Sequence, residues 1–123
     1  MWGSAILRRK IQGSSRTLNN IGIIFRELGQ YEKAIDYYHQ SLEIKRKIQD
    51  KKGIAITLNN IGFIYESIGN YQEALKHFQK SLALKKMIGD KRGISSTLNN
   101  LGNAYSHLEQ FDKALNAYSE SLT

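Results

Sequence analysis

The chain has 123 residues, a net charge of +7 and no cysteine or proline. Without cysteine there are no disulfide bonds, thiolate nucleophiles or cysteine metal sites, and no apolar run reaches the roughly 20 residues of a membrane span. The absence of proline favours an all-α fold, because proline disrupts helix interiors. The first residues, MWGSAILRRK, lack the features of a secretory signal, so we predict a cytoplasmic protein.

The N-terminal segment resembles a stretch further along the chain. Residues 5–12 read AILRRKIQ, and residues 42–49 read LEIKRKIQ. We therefore interpret residues 1–14 as the remnant of a preceding helix, joined to the next one by a short connection, or as a vector-derived segment. Trp2 is interpreted as a packing residue or as part of such a segment.

A six-residue motif divides the rest of the chain into repeats. TLNNIG at Thr17–Gly22 recurs at Thr57–Gly62, and TLNNLG follows at Thr97–Gly102, which gives a period of 40 residues. Apolar residues recur at helical spacing in two stretches of each repeat, so each repeat is predicted to form two amphipathic helices. The predicted repeats are residues 15–50, 51–90 and 91–123, the last shorter than the others and followed by no polar helix.

Glycine and aspartate mark the predicted ends of these helices. Gly29 and Gly69 lie where a first helix ends and the chain reverses, a place that favours a residue able to adopt a positive φ. Asp50 and Asp90 precede a new helical pattern, where a carboxylate can accept hydrogen bonds from the first free amides. Both aspartates are therefore predicted N-caps.

Small and aromatic residues recur at matching places in all three repeats. They are a glycine in the first helix (Gly22, Gly62, Gly102), aromatics after it and at the turn (Phe25, Tyr65, Tyr105; Tyr31, Tyr71, Phe111), an alanine (Ala34, Ala74, Ala114) and a last aromatic (Tyr38, Phe78, Tyr118). This pattern resembles the tetratricopeptide repeat. The departures are the 40-residue period in place of about 34, Glu109 in place of a turn glycine, and the missing proline.

The resemblance implies a right-handed superhelix, or solenoid, of three helix hairpins that binds proteins. The longer period is similar to that of kinesin light chains, cell-polarity adaptors and many bacterial signalling proteins. A binding scaffold is thus the first functional hypothesis. A regulatory module of a larger bacterial signalling protein and self-assembly through open repeat ends, including a homo-oligomer, are the alternatives.

Paired asparagines are the most informative polar feature, because asparagine is only a moderate helix former. They occur as Asn19-Asn20, Asn59-Asn60 and Asn99-Asn100. In the resembling adaptors, asparagines at this place hold a peptide backbone, which implies that role for Asn20, Asn60 and Asn100. The alternative is that one asparagine of each pair bonds a neighbouring repeat and serves stacking only.

The variable residues beside these asparagines would set specificity for a peptide. Arg16, Ile23, Phe63, Asn103 and His107 are the candidates, with Phe63 as the apolar anchor. A partly buried contact between repeats is the alternative for Phe63.

Basic residues cluster at the ends of the second helices. Twelve of the 18 lie at Arg8, Arg9, Lys10, Lys45, Arg46, Lys47, Lys51, Lys52, Lys85, Lys86, Lys91 and Arg92. Solvated cations favoured by the helix dipole explain such a stripe, and attraction to an acidic protein partner is the alternative. Nucleic acid fits less well, because no aromatic residues alternate with these cations.

We predict neither catalysis nor a metal or other cofactor. His39, His77 and His107 occupy different places in their repeats and have no cysteine partner. The glycines match neither a phosphate loop nor a dinucleotide fingerprint. Carboxylates such as Glu27, Glu66 and Asp112 are expected on exposed helix faces.

Overall fold

The computed structural model describes residues 5–123, apart from the side chains of Leu7, Arg8 and Ile11. The interpretations of Trp2 and of the Arg8 side chain lie outside these described residues. Six helices account for nearly all of the described backbone. They are α1 (Ala5–Glu27), α2 (Tyr31–Lys47), α3 (Lys51–Ser67), α4 (Tyr71–Ile88), α5 (Lys91–His107) and α6 (Phe111–Ser121). The described chain is all-α, and each predicted repeat contributes one pair of helices.

Helix α1 runs without interruption from Ala5 to Glu27. This corrects the prediction of a connection before residue 15. The polar residues at this place are accommodated inside the helix, because the Ser14 hydroxyl donates to Lys10 O at 3.0 Å and the Thr17 hydroxyl to Gly13 O at 3.0 Å. Short hydroxyl side chains can bond the preceding turn in this way without ending a helix.

The predicted glycine turns are confirmed. Gly29 has a φ of 73° and Gly69 a φ of 81°, the left-handed region that glycine enters without a steric penalty. In the third hairpin Glu109 adopts the same conformation with a φ of 60°, so the backbone of this turn is retained although its glycine is not. The Asp90 carboxylate accepts a hydrogen bond from Gly93 N at 3.0 Å, and the Asp50 carboxylate accepts one from Gly53 N at 2.9 Å. Both predicted N-caps are therefore confirmed.

The small residue of each first helix lies directly against an aromatic ring of the second helix. A Cβ atom added at Gly22 would lie 2.7 Å from the Tyr38 ring, and one at Gly62 would lie 2.6 Å from the Phe78 ring. Real Cβ atoms do not approach that closely, so the hairpins close only because these positions lack a side chain. Tyr38 and Phe78 are both fully buried as a result.

The chain forms two compact units, with the division inside α3. The N-terminal unit extends to Thr57, and in it α1 packs against α2 over buried Ala34, Tyr38 and Leu42. The C-terminal unit runs from Leu58 to Thr123. Its core lies mainly between α4 and α5 and consists of Ala74, Leu75, Phe78, Leu98, Leu101, Ala104 and Ala117.

Candidate functional site

The asparagine pair of the N-terminal unit lies partly in solvent. The side chain of Asn20 is exposed, whereas Asn19 is half-buried. Asn19 Oδ1 lies 3.5 Å from the Thr57 hydroxyl, which donates to it. The amide of Asn20 is therefore accessible to solvent.

The asparagine pairs of the C-terminal unit are arranged differently. Asn100 is only 8% exposed, and its Nδ2 donates to Asn59 Oδ1 at 3.2 Å. This corrects the expectation of an outward amide at Asn100, because its place on α5 turns the side chain towards α3. Asn60 is half-buried. The alternative from the sequence, in which an asparagine bonds the neighbouring repeat, therefore describes Asn100 and Asn59.

Phe63 is half-buried in the C-terminal unit. Its ring meets the Phe78 ring edge-on, with centroids 5.7 Å apart and planes at 80°, and it packs against the core of that unit. Such edge-to-face pairs are a favoured aromatic geometry. The contact uses part of the Phe63 surface for packing within the protein and leaves the remainder accessible.

Asn103 and His107 are exposed on α5. Asn103 Oδ1 accepts a hydrogen bond from the Tyr118 hydroxyl. The His107 ring stacks on the Tyr71 ring, with centroids 4.4 Å apart and planes 3° from parallel. These contacts fix the orientation of both side chains while each stays open to solvent.

Glu66 on α3 interacts electrostatically with His107 of this stack. Its Oε2 is buried and has no hydrogen-bond partner within the described part of the chain. Burial raises the pKa of the Glu66 carboxyl, and the positive charge of protonated His107 partly offsets that effect. This burial corrects the prediction of a solvated face for Glu66.

Arg16 and Ile23 belong to α1 in the N-terminal unit. Ile23 is half-buried, and Arg16 is exposed at the edge of a cavity of about 320 Å³. Lys45, Asp50 and Lys52 line the same cavity. The cavity therefore brings together Arg16, a predicted site residue, with two lysines of the basic clusters and the N-cap Asp50.

Two lysines that the sequence assigned to the solvated stripe are buried. Lys45 is 8% exposed and donates from Nζ to the Thr57 hydroxyl at 3.0 Å and to Gly53 O at 3.4 Å. Lys85 is 6% exposed and donates to the Thr97 hydroxyl at 2.7 Å. We name these sets the first lysine connection (Lys45, Asp50, Gly53, Thr57) and the second lysine connection (Lys85, Asp90, Gly93, Thr97).

Burial is the main reason that the pKa of both lysines lies below 10.5, and the nearby aspartate of each connection opposes the shift. For Lys45 the charge of Arg16 adds to the lowering. Helical spacing could have revealed the burial, since Lys45 falls three residues after Leu42 and seven after Tyr38, on the core side of α2.

Comparison with known families settles the nature of these repeats. The family model described as tetratricopeptide repeat matches residues 53–123, and a second model of the same description matches residues 15–47. The chain belongs to the tetratricopeptide-repeat family. Repeats of this family generally mediate protein–protein interactions, and the described helices have the helical-repeat superhelix fold of the family.

Solved structures of similar fold match most of the chain. BtubC (BKLC) from P. vanneervenii is 26% identical, with a TM-score of 0.83, and the match covers 87% of this chain and 44% of that one. The tetratricopeptide domain of Arabidopsis FLU is 20% identical over 91% of this chain and 94% of that one, with a TM-score of 0.85. The N-terminal domain of stress-induced protein-1 from C. elegans is 17% identical, with a TM-score of 0.79, and covers 91% and 84%.

A curated relative matches a shorter stretch. The photosystem I assembly protein Ycf3 of Acaryochloris marina (strain MBIC 11017) is 60% identical over 30 residues, which is 24% of this chain and 18% of that protein. The match therefore covers less than a fifth of that relative's length.

A metal-holding cluster and a membrane-spanning helix are both absent from the described residues. Residues 5–123 contain no group of three or more histidine or carboxylate side chains placed to hold a metal ion. None of the helices in this part has the length and apolar character needed to cross a bilayer.

Proposed function

We propose that this chain is a non-catalytic protein-binding scaffold that holds an extended segment of a partner against its first helices. The observation that carries the proposal is the exposed polar edge of α5, where Asn103 and His107 are open to solvent while the Tyr118 hydroxyl and the Tyr71 ring hold them in place. Fixed polar groups of this kind can bond the N–H and C=O groups of an extended peptide.

The surrounding side chains suit a peptide backbone. In the C-terminal unit Asn60 offers an amide, and the exposed Asn103 and His107 offer further donors and acceptors. Phe63 contributes an apolar surface of limited area. In the N-terminal unit the proposal assigns a separate contact set, Arg16, Asn20 and Ile23. Asn100 has a positioning role here, since its amide is bonded to Asn59.

The proposal includes the division into repeats 15–50, 51–90 and 91–123 and a cytoplasmic location, both carried over from the sequence. The third functional hypothesis, a regulatory module of a larger bacterial signalling protein, has no feature of the described residues in its favour.

Peptide display tests the scaffold function with random sequences in place of a natural partner. A library of extended twelve-residue peptides is selected against the chain, and affinities of the enriched peptides are measured by fluorescence anisotropy. We expect the double variant Asn60→Ala, Asn103→Ala to bind them about tenfold or more weakly, because two amide contacts to the peptide are lost.

Gln72→Ala, an exposed amide on α4, is the matched control and should bind normally. Helical circular dichroism must be the same for all variants. If no peptide is enriched, or if the double variant binds as tightly as the wild type, the proposed contact surface is wrong.

Self-assembly is a second candidate, favoured by one face of α6. Leu115 is 63% exposed and Leu122 is 89% exposed, whereas Leu75, which matches Leu115 in the repeat, is 7% exposed. In the C-terminal unit the matching face of α4 is covered by α5. The α6 face would therefore accept a helix of the same kind from a second copy of the chain.

Light scattering after size-exclusion chromatography tests this second candidate. Association that rises with concentration and is lost in Leu115→Lys would support it, and Lys113→Ala on the same helix is the control. A monomer over the whole accessible concentration range excludes it.

A further inference from the structure

A cavity of about 320 Å³ in the N-terminal unit is lined by all three helices that meet there. Arg16 and Asn19 come from α1, Lys45 from α2, and Asp50 and Lys52 from the start of α3. The volume is at the lower end of the range for ligand sites. The cavity is large enough for one small group but not for a folded element.

Positive charge dominates the lining. Among the described lining residues, Arg16, Lys45 and Lys52 are cations and Asp50 is the one carboxylate. Its Oδ1 accepts the Gly53 N–H at 2.9 Å as the cap of α3, so three cations face one negative charge. Arg16 is close enough to Lys45 to repel its ammonium group. An anion placed between these two cations would remove that repulsion.

Lys45 gives the cavity a fixed donor. An ammonium group has three N–H bonds, and two of those on Lys45 are directed at Thr57 Oγ1 and Gly53 O. These bonds hold the buried side chain in one position, at the wall of the cavity. Within the described part of the chain the third N–H has no acceptor, and a charged donor in a partly dry site binds oxyanions strongly.

The second lysine connection shows which part of this arrangement is special. The second lysine connection repeats two of these contacts in the C-terminal unit, from Lys85 to the Thr97 hydroxyl and from Gly93 N to the Asp90 carboxylate. At the register of Arg16, 40 residues on, the sequence has Ile56. The buried lysine is therefore common to both connections, whereas the arginine beside it belongs to the first alone.

We propose that this cavity binds a carboxylate group of an acidic segment in a protein partner, between Arg16, Lys45 and Lys52. The inference rests on the proposed scaffold function, because the carboxylate belongs to the bound partner. A carboxylate is the anion that the aspartate and glutamate side chains of an unmodified partner supply, and it accepts hydrogen bonds from both arginine and lysine. The N-terminal unit then selects acidic partners, a specificity separate from the backbone contacts of the C-terminal unit.

Nuclear magnetic resonance of the ¹⁵N-labelled chain tests the cavity directly. The probe is an acetylated, amidated tetraglutamate peptide, and the tetraglutamine peptide is its neutral counterpart. Gly53 N–H, capped by Asp50, reports on the cavity, and Gly93 N–H, capped by Asp90, reports on the second lysine connection. We expect a saturable shift at Gly53 with the glutamate peptide, a much smaller one at Gly93, and none with glutamine.

Neighbouring lysines provide a matched pair of variants. Lys51 and Lys52 are both exposed and carry the same charge, but only Lys52 lines the cavity. Lys52→Ala should weaken binding about fivefold or more, and Lys51→Ala less than about twofold. Arg16→Ile, which introduces the residue of the following repeat, should weaken it as much as Lys52→Ala.

Three results would overturn the proposal: equal weakening by Lys51→Ala and Lys52→Ala, equal shifts at Gly53 and Gly93, or binding only of a phosphoserine peptide. The first would show diffuse attraction to the basic surface. None of these results bears on Asn60 or Asn103, so the peptide-display experiment judges the scaffold function separately.

Discussion

The two lysine connections use the same four residue types at the same spacing, yet they differ in how the lysine is held. Lys85 has one short bond, 2.7 Å to the Thr97 hydroxyl, whereas Lys45 divides its bonds between the Thr57 hydroxyl at 3.0 Å and Gly53 O at 3.4 Å. A buried ammonium group is stable only when its donors are used. The comparison indicates that Lys85 depends on one hydroxyl more than Lys45 does.

The surroundings of the two lysines differ as well. Burial lowers the pKa of both lysines and the nearby aspartate opposes it in both, but the charge of Arg16 acts on Lys45 in addition. No second charged group of the described residues is found to shift the pKa of Lys85. The buried lysine thus has one role in the C-terminal unit and two in the N-terminal unit. Lys85 links α4 to α5, whereas Lys45 links α2 to α3 and also lines the cavity with a positive charge.

Removing the hydroxyl acceptors should give the largest difference. Thr97→Val leaves the buried Lys85 ammonium without its acceptor and should lower the free energy of unfolding by about 2 kcal/mol, the usual range for a bond to a charged group. Thr57→Val should lower it by about 1 kcal/mol, because Gly53 O remains as an acceptor. Urea unfolding followed by circular dichroism at 222 nm measures both.

Thr17→Val is the control for this pair. Thr17 occupies the same repeat position but is exposed, and its hydroxyl bonds only the carbonyl of Gly13. Its replacement should change the free energy of unfolding by less than about 0.5 kcal/mol. A larger loss for Thr57→Val than for Thr97→Val would contradict the comparison.

Removing the caps should have a smaller effect that is similar in the two connections. Asp50→Ala and Asp90→Ala each free one amide at the start of a helix and should each lower the free energy of unfolding by about 1 kcal/mol. Asp36→Ala, an exposed position within α2, should have almost no effect. A large difference between the two cap variants would show that the connections are not equivalent at their aspartates.

The pH dependence of stability gives the smallest and most specific test. Because burial lowers the pKa of Lys85 in the folded state, the unfolded chain binds more protons between that lowered pKa and 10.5. Stability contributed by this group therefore rises as the pH increases through that window. The Lys85→Met variant lacks this rise. Its free energy of unfolding, minus that of the wild type, should therefore become more negative from pH 7 to pH 10.

Measuring wild type and variant at each pH cancels the titration of other groups, including Tyr38, whose pKa is raised by burial. Lys80→Met, an exposed lysine on the same helix, should leave the pH dependence unchanged. A parallel pH profile for Lys85→Met would mean that the lysine titrates alike in the folded and unfolded states.

Local rules predicted most of the fold from the sequence. The turn glycines and the N-cap aspartates depend only on the local backbone of a single turn, so residue type and spacing are enough to predict them. They are Gly29, Gly69, Asp50 and Asp90. The close approach of the first-helix glycines to the second helix followed from three agreeing repeats. The continuity of α1 did not, because Gly13 and Ser14 are compatible with both a loop and a helix interior.

The candidate site was harder to predict, since it depends on which neighbour each side chain meets. Asn20 and Asn100 occupy the same register, yet one is exposed and the other bonds Asn59. The charge of Lys45 predicted a surface position, although its helical spacing places it on the core side. In both cases the residue type gave less information than its partners in the fold.

The spacing within the lysine connections also constrains how such a chain can change length. In each connection the lysine of one helix bonds the threonine of the next, and the aspartate between the helices bonds the glycine. These contacts cross from α2 to α3 and from α4 to α5. Each residue inserted between them inside a helix would rotate those that follow by about 100° and separate the bonded groups. Insertions should therefore be tolerated better in the hairpin turns than between the lysine and the threonine of a connection.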